Sequence, residues 1–309
     1  MDTLFNEEAL IELHTIGDWL RYCVSHFQQA GLFYGHGTDN AWDEAVQLIL
    51  PLLHLPQGCP PQIQQARLLS HERQVLFDAL KIRVEQRIPT PYITHTAWFG
   101  GYEFYVDERV LIPRSPIAEL IESRFAPWLA LEPKRILDMC TGSGCIAIAL
   151  AHSFPDAEVD ALDISRDALD VAEINIQNHG LEQQVTPIES DLFSALPKGD
   201  KYDLMVVNPP YVDEEDMSDL PQEFHHEPEL ALASGFDGLD FTRRLLAQAC
   251  EFLSEEGLLV LEVGNSQIHM EQAYPELPLT WIEFEHGGHG VCVISYRDLE
   301  PFQSQFTNL

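Results

Sequence analysis

From Arg135 onward, short apolar runs alternate with longer stretches of helical periodicity, and this alternation constrains the fold more than any other feature of the sequence. A short apolar run between turn residues predicts a strand buried on both faces, as in parallel sheets covered by helices. The sequence therefore predicts an α/β fold with a mostly parallel sheet. The predicted strands are residues 136–139, 159–162, 185–188, 204–207 and 258–263, and the predicted helices are 145–152, 166–179 and 239–253.

The remaining parts of the chain have different patterns. Apolar residues recur at helical spacing over 10–27, 42–53 and 69–84, which predicts a small helical domain over residues 1–90. Aromatic residues and glycines over 91–114 predict a β-hairpin linker, and Ser115-Pro116 predicts a helix start that continues to Phe125. Residues 281–284 and 291–296, separated by glycines, predict an antiparallel C-terminal hairpin that completes a domain over 115–309.

The charge balance is strongly acidic, with 50 Asp and Glu against 17 Lys and Arg and a formal net charge of -33. Such a surface repels phosphate backbones, so the prediction is no DNA partner, and it attracts basic proteins. The alternative is a solvated surface without a specific partner, and the same two interpretations apply to the acidic run over 213–216. No apolar run approaches the roughly 18 residues of a membrane span, so we expect a cytoplasmic protein without a membrane partner.

The six cysteines include no C-x-x-C pair, and the histidines match no ligand spacing, so no metal site is predicted. The loop 138–144 follows the first predicted strand, and Gly142 and Gly144 allow a sharp turn close to a ligand. Asp163 and Asp191 follow the next two strands, where carboxylates can accept hydrogen bonds from ribose hydroxyls and an adenine amino group. A nucleoside site is predicted, and because residues 142–147 also satisfy the dinucleotide pattern, a nicotinamide enzyme stays possible.

A second motif, Asn208-Pro209-Pro210-Tyr211, follows the fourth predicted strand and faces the same crevice. The nitrogen of an amide is a poor nucleophile because its lone pair is delocalised. The side-chain oxygen of Asn208 and the carbonyl of Pro209 can accept its two N–H bonds and aim it at a methyl donor. Tyr211 offers a flat face for a planar amide or base. We predict Asn208, Pro209 and Tyr211 as catalytic residues.

These two motifs together resemble the class I amino-methyltransferases, which include DNA adenine methylases and protein glutamine N5-methyltransferases. Stretches 110–114, 227–232 and 235–239 are similar to the glutamine enzymes. The resemblance implies a Rossmann-like methyltransferase sheet behind a helical substrate-docking domain, and S-adenosylmethionine as cofactor. The cofactor residues that it implies are Asp138, Met139, Cys140, Thr141, Gly142, Gly144, Asp163, Ile164, Asp191, Leu192 and Asn208. Cys140 departs from the family pattern, which has a glycine there.

Within this family the known substrates are release factors and a large-subunit ribosomal protein, the one numbered three. Release-factor enzymes read Pro-Arg-Pro-Glu-Thr where this chain has Pro-Arg-Ser-Pro-Ile at 113–117, and residues 213–217 and 225–228 are similar to the ribosomal-protein branch. The resemblance therefore implies glutamine N5-methylation of that basic ribosomal protein, which suits the net charge of -33. The alternatives are a release-factor enzyme, a DNA amino-methyltransferase, and a non-catalytic binding module that keeps the cofactor for structure.

Overall fold

The protein is described by a computed structural model that covers residues 5–129 and 131–306. These residues form two compact units. The helical unit contains residues 5–97 together with the distant segment 221–226, and the sheet unit contains the rest. The division of the chain into domains 1–90, 91–114 and 115–309 stays a prediction.

The helical unit is built from α1 (Glu8–Glu12), α2 (Ile16–Ala30), α3 (Ala41–Leu52), α4 (Ser70–Glu85) and α5 (Thr90–Thr94). The periodic stretch 10–27, which predicts continuous helix, is divided between α1 and α2. The break falls before Thr15 because Thr15 and Asp18 form a reciprocal capping box that starts a new helix. Large apolar side chains such as Trp19 and Phe27 are fully buried between these helices.

A buried ionic network fixes segment 221–226 within the helical unit. Glu223 accepts hydrogen bonds from the Phe33 N–H at 3.1 Å and from Arg83 and Arg87 at 3.5 and 3.3 Å. Arg83 also donates to Glu44 at 2.7 Å. Burial opposes ionisation of Glu223, but these donors outweigh burial and lower its pKa. The network therefore pairs its buried charges, as such groups require.

The sheet unit contains one seven-stranded sheet, preceded by a two-stranded sheet of β1 (Ala97–Phe99) and β2 (Tyr102–Phe104). The strands of the large sheet are β3 (Arg135–Met139), β4 (Glu158–Asp163), β5 (Val185–Glu189), β6 (Tyr202–Val207), β7 (Leu253–Glu262), β8 (Thr280–Trp281) and β9 (Val291–Ser295). Their order is β5-β4-β3-β6-β7-β9-β8, in which the first five strands are parallel and β9 is antiparallel to both β7 and β8. This arrangement confirms the predicted α/β fold with its antiparallel hairpin.

Helices cover both faces of this sheet. Successive residues of a strand point to opposite sides, and apolar side chains on both sides are buried beneath helices. Ile136 packs into one hydrophobic cluster and Leu137 into the other. The helices of the sheet unit are α6 (Ile117–Glu122), α7 (Cys145–Ser153), α8 (Arg166–His179), α9 (Glu214–Asp219), α10 (Asp240–Phe252), α11 (Gln267–Ala273), α12 (Tyr296–Leu299) and α13 (Gln303–Phe306), of which α9 has no buried residue and packs on neither face. Short 3₁₀ turns occupy Pro61–Gln65, Gln222–His226, Glu229–Ala231, Gly264–Ser266 and Glu300–Phe302.

Three predicted boundaries need correction. Helix α6 ends at Glu122 and does not continue to Phe125, because Arg124 and Phe125 have φ of 54° and 56°, outside the helical region. Strand β7 begins at Leu253, earlier than the predicted residue 258, and β8 has two residues where four were predicted. No helix among the described residues is both long and apolar enough to span a membrane.

Candidate active site

A cavity of about 340 Å³ opens at the carboxyl ends of the parallel strands. The order of the sheet reverses between β3 and β6, and open α/β sheets bind ligands at such a reversal. The volume lies within the range of small-molecule sites. The predicted site residues that line it are Met139, Cys140, Thr141, Gly142, Asp163, Ile164, Asp191, Leu192 and Asn208. Asp138, Gly144, Pro209 and Tyr211 are not among the lining residues.

Asp138 lies behind the glycine loop and holds it in shape. Its Oδ2 accepts hydrogen bonds from the Thr141 hydroxyl at 2.6 Å and from the Ala147 N–H at 3.0 Å. Its Oδ1 is buried and has no hydrogen-bond partner within residues 5–129 and 131–306. Burial raises the pKa of Asp138 to about 7, although the two hydrogen bonds act in the opposite direction.

Cys140 occupies a backbone conformation that favours glycine. Its φ is 61°, in the left-handed region, where a side chain costs about 1–2 kcal/mol. This conformation gives a physical reason for the glycine that the family pattern has at this position. Burial, together with the nearby carboxylates of Asp163 and Asp138, raises the pKa of the Cys140 thiol well above its usual range.

The two predicted carboxylates at the neighbouring strand ends have different partners. Asp163 accepts hydrogen bonds from the N–H groups of Gly142 and Ser165, both at 2.9 Å, and burial raises its pKa. Each oxygen keeps a further lone pair for a ligand. Asp191 is paired with Arg244, whose Nη2 donates to both carboxylate oxygens at 2.7 and 2.8 Å. Arg244 also lines the cavity, and the sequence reasoning missed it.

The motif 208–211 begins beside the glycine loop, since Met139 and Val207 are paired residues of β3 and β6. Asn208 and Pro210 line the cavity. The Tyr211 hydroxyl instead donates to Oε1 of the buried Glu262 at 3.0 Å, and Ser115 donates to Oε2 at 2.5 Å. Burial raises the pKa of both Glu262 and Tyr211. The geometry thus makes Tyr211 an anchor of the motif.

A second ion pair joins two of the stretches that carry the family resemblance. Arg114 donates to the two oxygens of Glu227 at 2.6 and 2.9 Å, and the Ile112 N–H donates to Glu227 Oε1 at 2.9 Å. Arg114 lines the cavity, while the Glu227 carboxylate is buried. The sequence indicated these two stretches only through the family resemblance. Nothing in their spacing predicted that Arg114 and Glu227 form an ion pair.

Asn175, inside α8, is a further residue that sequence reasoning missed. Its buried amide accepts from the Tyr105 N–H at 2.8 Å and donates to the Tyr105 and Ser143 carbonyls at 2.9 and 2.8 Å. It therefore ties the glycine loop to the segment after β2. A buried helical asparagine carries no sequence signal for such a role. Within the described parts of the chain, no group of three or more potential metal ligands occurs.

The chain is similar to known methyltransferases in sequence and in fold. A family model described as "Methyltransferase small domain" matches residues 125–238. The chain is 50% identical over 297 residues to the ribosomal protein uL3 glutamine methyltransferase of Neisseria gonorrhoeae, covering 96% of this chain and 98% of that protein. The protein of the same name from Neisseria meningitidis serogroup A is also 50% identical, with coverage of 96% and 97%. A ribosomal protein L11 methylase structure from Lactobacillus delbrueckii subsp. bulgaricus aligns at 20% identity and a TM-score of 0.42, covering 62% of this chain and 83% of that one.

The two relatives, together with the family model of a methyltransferase domain, show that this chain is a methyltransferase. The similarity to the two Neisseria proteins extends over nearly the whole of each chain. The chain belongs to the family of ribosomal protein uL3 glutamine methyltransferases. The predicted membership of the protein glutamine methyltransferases is thereby confirmed.

Proposed function

We propose that this enzyme transfers a methyl group from S-adenosylmethionine to the side-chain amide nitrogen of a glutamine in ribosomal protein uL3. The observation that carries the proposal is the position of Asn208, which directly follows β6 beside the glycine loop and lines the same cavity. The name of the two relatives supports the substrate, and the net charge of -33 suits a basic ribosomal protein.

The cavity suits S-adenosylmethionine. A Cβ built on Gly142 would meet no atom within 4 Å, so the loop backbone borders open space where a ligand can approach closely. Leu162, Ile164 and Leu192 supply apolar contacts for a purine. Asp163 can accept hydrogen bonds from ribose hydroxyls. When bound, the cofactor supplies an electrophilic methyl group.

Catalysis by this chain is then mainly a matter of orienting the amide. The side-chain oxygen of Asn208 accepts one amide N–H bond and the carbonyl of Pro209 accepts the other. Both acceptors also stabilise the positive charge that develops on nitrogen as it attacks. Proline fixes the backbone dihedral at this position, and Tyr211 anchors the motif through Glu262. The amide proton is lost after attack, so no general base is assigned.

The test is transfer of labelled methyl groups from S-adenosylmethionine to purified uL3 by wild type and Asn208→Ala. Loss of one acceptor is expected to lower kcat by about 100-fold to 1,000-fold. The dissociation constant of the cofactor, measured by calorimetry, should stay within about threefold because the other cavity residues are intact. Asn178→Ala, which changes an exposed asparagine of α8, is the matched control.

The product is located by mass spectrometry, which identifies the modified residue of uL3. Unchanged turnover in Asn208→Ala would contradict the role of the motif. Absence of label on uL3 with wild type, but label on a release factor offered in the same reaction, would contradict the proposed substrate.

A further inference from the structure

Two large apolar side chains are exposed beside the cavity. Phe236 is 82% exposed and Leu230 is 59% exposed. Leu230 lines the cavity, and Phe236 directly follows Gly235, which also lines it. Single exposed apolar side chains are ordinary on a protein surface, whereas exposed apolar side chains that border a binding cavity indicate an interaction surface. We call residues Glu229, Leu230, Phe236 and Asp240 the cavity rim.

The loop that carries Phe236 is held on both sides. Gly235 and Gly238 have φ of 77° and 74°. A Cβ on Gly235 would lie 2.1 Å from the Asp240 carboxylate, and a Cβ on Gly238 would lie 2.0 Å from Ser266 Oγ. Asp237 accepts from the Leu239 N–H at 3.2 Å and is paired with Arg243. The exposed ring is therefore presented by a fixed backbone, so binding costs little conformational entropy.

The segment 232–234, which lies between the rim residues Leu230 and Phe236, is hydrogen-bonded to the residue that follows the motif 208–211. The Val212 N–H donates to the Leu232 carbonyl at 2.8 Å, and the Ser234 N–H donates to the Val212 carbonyl at 2.9 Å. Val212 and Ala233 form a parallel bridge. The rim is thus held at a fixed position relative to Asn208. In a polypeptide that binds the rim, the residue presented to Asn208 therefore lies at a fixed spacing from the residue that contacts the rim.

The charge of the rim indicates the chemistry of that polypeptide. Glu229 and Asp240 are exposed there. Of the nearby arginines, Arg243 is ion-paired with both Asp237 and the rim residue Asp240, and Arg244 is ion-paired with Asp191, so the aspartates outnumber the arginines. The rim therefore combines apolar side chains with a negative potential, which attracts cationic segments.

We propose that the cavity rim is the docking site for the substrate segment next to the target glutamine. Phe236 and Leu230 bind an apolar side chain of that segment, and Glu229 and Asp240 attract its lysine or arginine side chains. The occupant is an extended basic polypeptide with an apolar residue close to the glutamine. This inference rests on the proposed function, and it specifies how that site selects its substrate.

The experiment measures binding separately from turnover. The probe is a fluorescent peptide in which one glutamine is flanked by leucine and lysines, and its dissociation constant is measured by anisotropy at low salt. Phe236→Ser is expected to weaken binding about tenfold or more, the effect of losing an aromatic anchor. Leu131→Ser changes a residue that is 73% exposed but does not line the cavity, and it should leave binding unchanged.

Charge is tested with Glu229→Gln, which should weaken binding about threefold at low salt and have less effect at high salt. Equal dissociation constants for wild type and Phe236→Ser, or no peptide binding by wild type, would overturn the rim proposal. Peptide binding that depends on Phe236, without methylation of uL3 by wild type, would support the rim and contradict the proposed function. In the kinetic assay, Phe236→Ser should raise KM for uL3 and keep kcat and cofactor affinity.

Discussion

The buried carboxyl of Asp138 makes the stability of the sheet unit depend on pH. Burial raises the pKa of Asp138 from 3.8 to about 7. A carboxyl whose pKa is raised on folding holds its proton more tightly in the folded chain than in the unfolded chain. Its contribution to stability is therefore complete below pH 3.8, and it is lost as the pH rises through about 7.

Asp138→Asn removes this titration and keeps the shape of the protonated carboxyl. A difference of about 3 in pKa corresponds to about 4 kcal/mol over the whole pH range. Between pH 5.5 and pH 8.5, the wild type is expected to lose about 2 kcal/mol of unfolding free energy relative to Asp138→Asn. The lower pH stays above the isoelectric point of 4.5, near which a protein with little net charge precipitates.

The assay is urea unfolding of the cofactor-free protein, followed by tryptophan fluorescence at both pH values. Other carboxylates titrate equally in both proteins, so only the difference between them reports Asp138. Asp156→Asn removes an exposed carboxylate and controls for the change in net charge. The same difference in unfolding free energy at both pH values would refute the reasoning.

Two further substitutions test the geometry of the site. Tyr211→Phe should lower the unfolding free energy by about 1–3 kcal/mol, because the buried Glu262 loses a hydrogen-bond donor. Urea unfolding measures this, and an unchanged value would argue against the anchoring role. Cys140→Gly should raise the unfolding free energy by about 0.5–1 kcal/mol, because relief of left-handed strain exceeds the added chain entropy. A less stable glycine variant in the same assay would contradict this.

Local sequence signals, such as helix-capping residues, predicted the helix limits that they determine. Helix α8 has the predicted limits because Ser165 caps its start and Gly180 ends it in the left-handed conformation. The end of α6 was not predictable, because Arg124 and Phe125 adopt positive φ without a glycine to signal it. The start of α2 was missed although Thr15 and Asp18 carry a capping-box pattern, since the apolar spacing continues across the break.

The residues of the site also divide into those that a local sequence pattern predicts and those that it does not. Asn208 and the glycine loop were predictable because each follows an apolar strand, and parallel strands end at one edge. The ion pair of Arg114 with Glu227 joins residues far apart in the sequence, and no local pattern reports such a contact. The same holds for Glu262, whose partners Ser115 and Tyr211 come from two distant segments of the chain.

The helical unit includes residues 221–226, so it is not encoded by one continuous stretch. The chain passes between the units at three junctions: after residues 97, 220 and 226. Deleting residues 1–97 would leave Glu223 without the cations of Arg83 and Arg87, and a fragment ending at residue 97 would lack the Glu223 carboxylate, which is paired with both arginines. Exchanging the helical portion between relatives by a single crossover would therefore mismatch this network, and a working chimera needs segment 221–226 from the same parent.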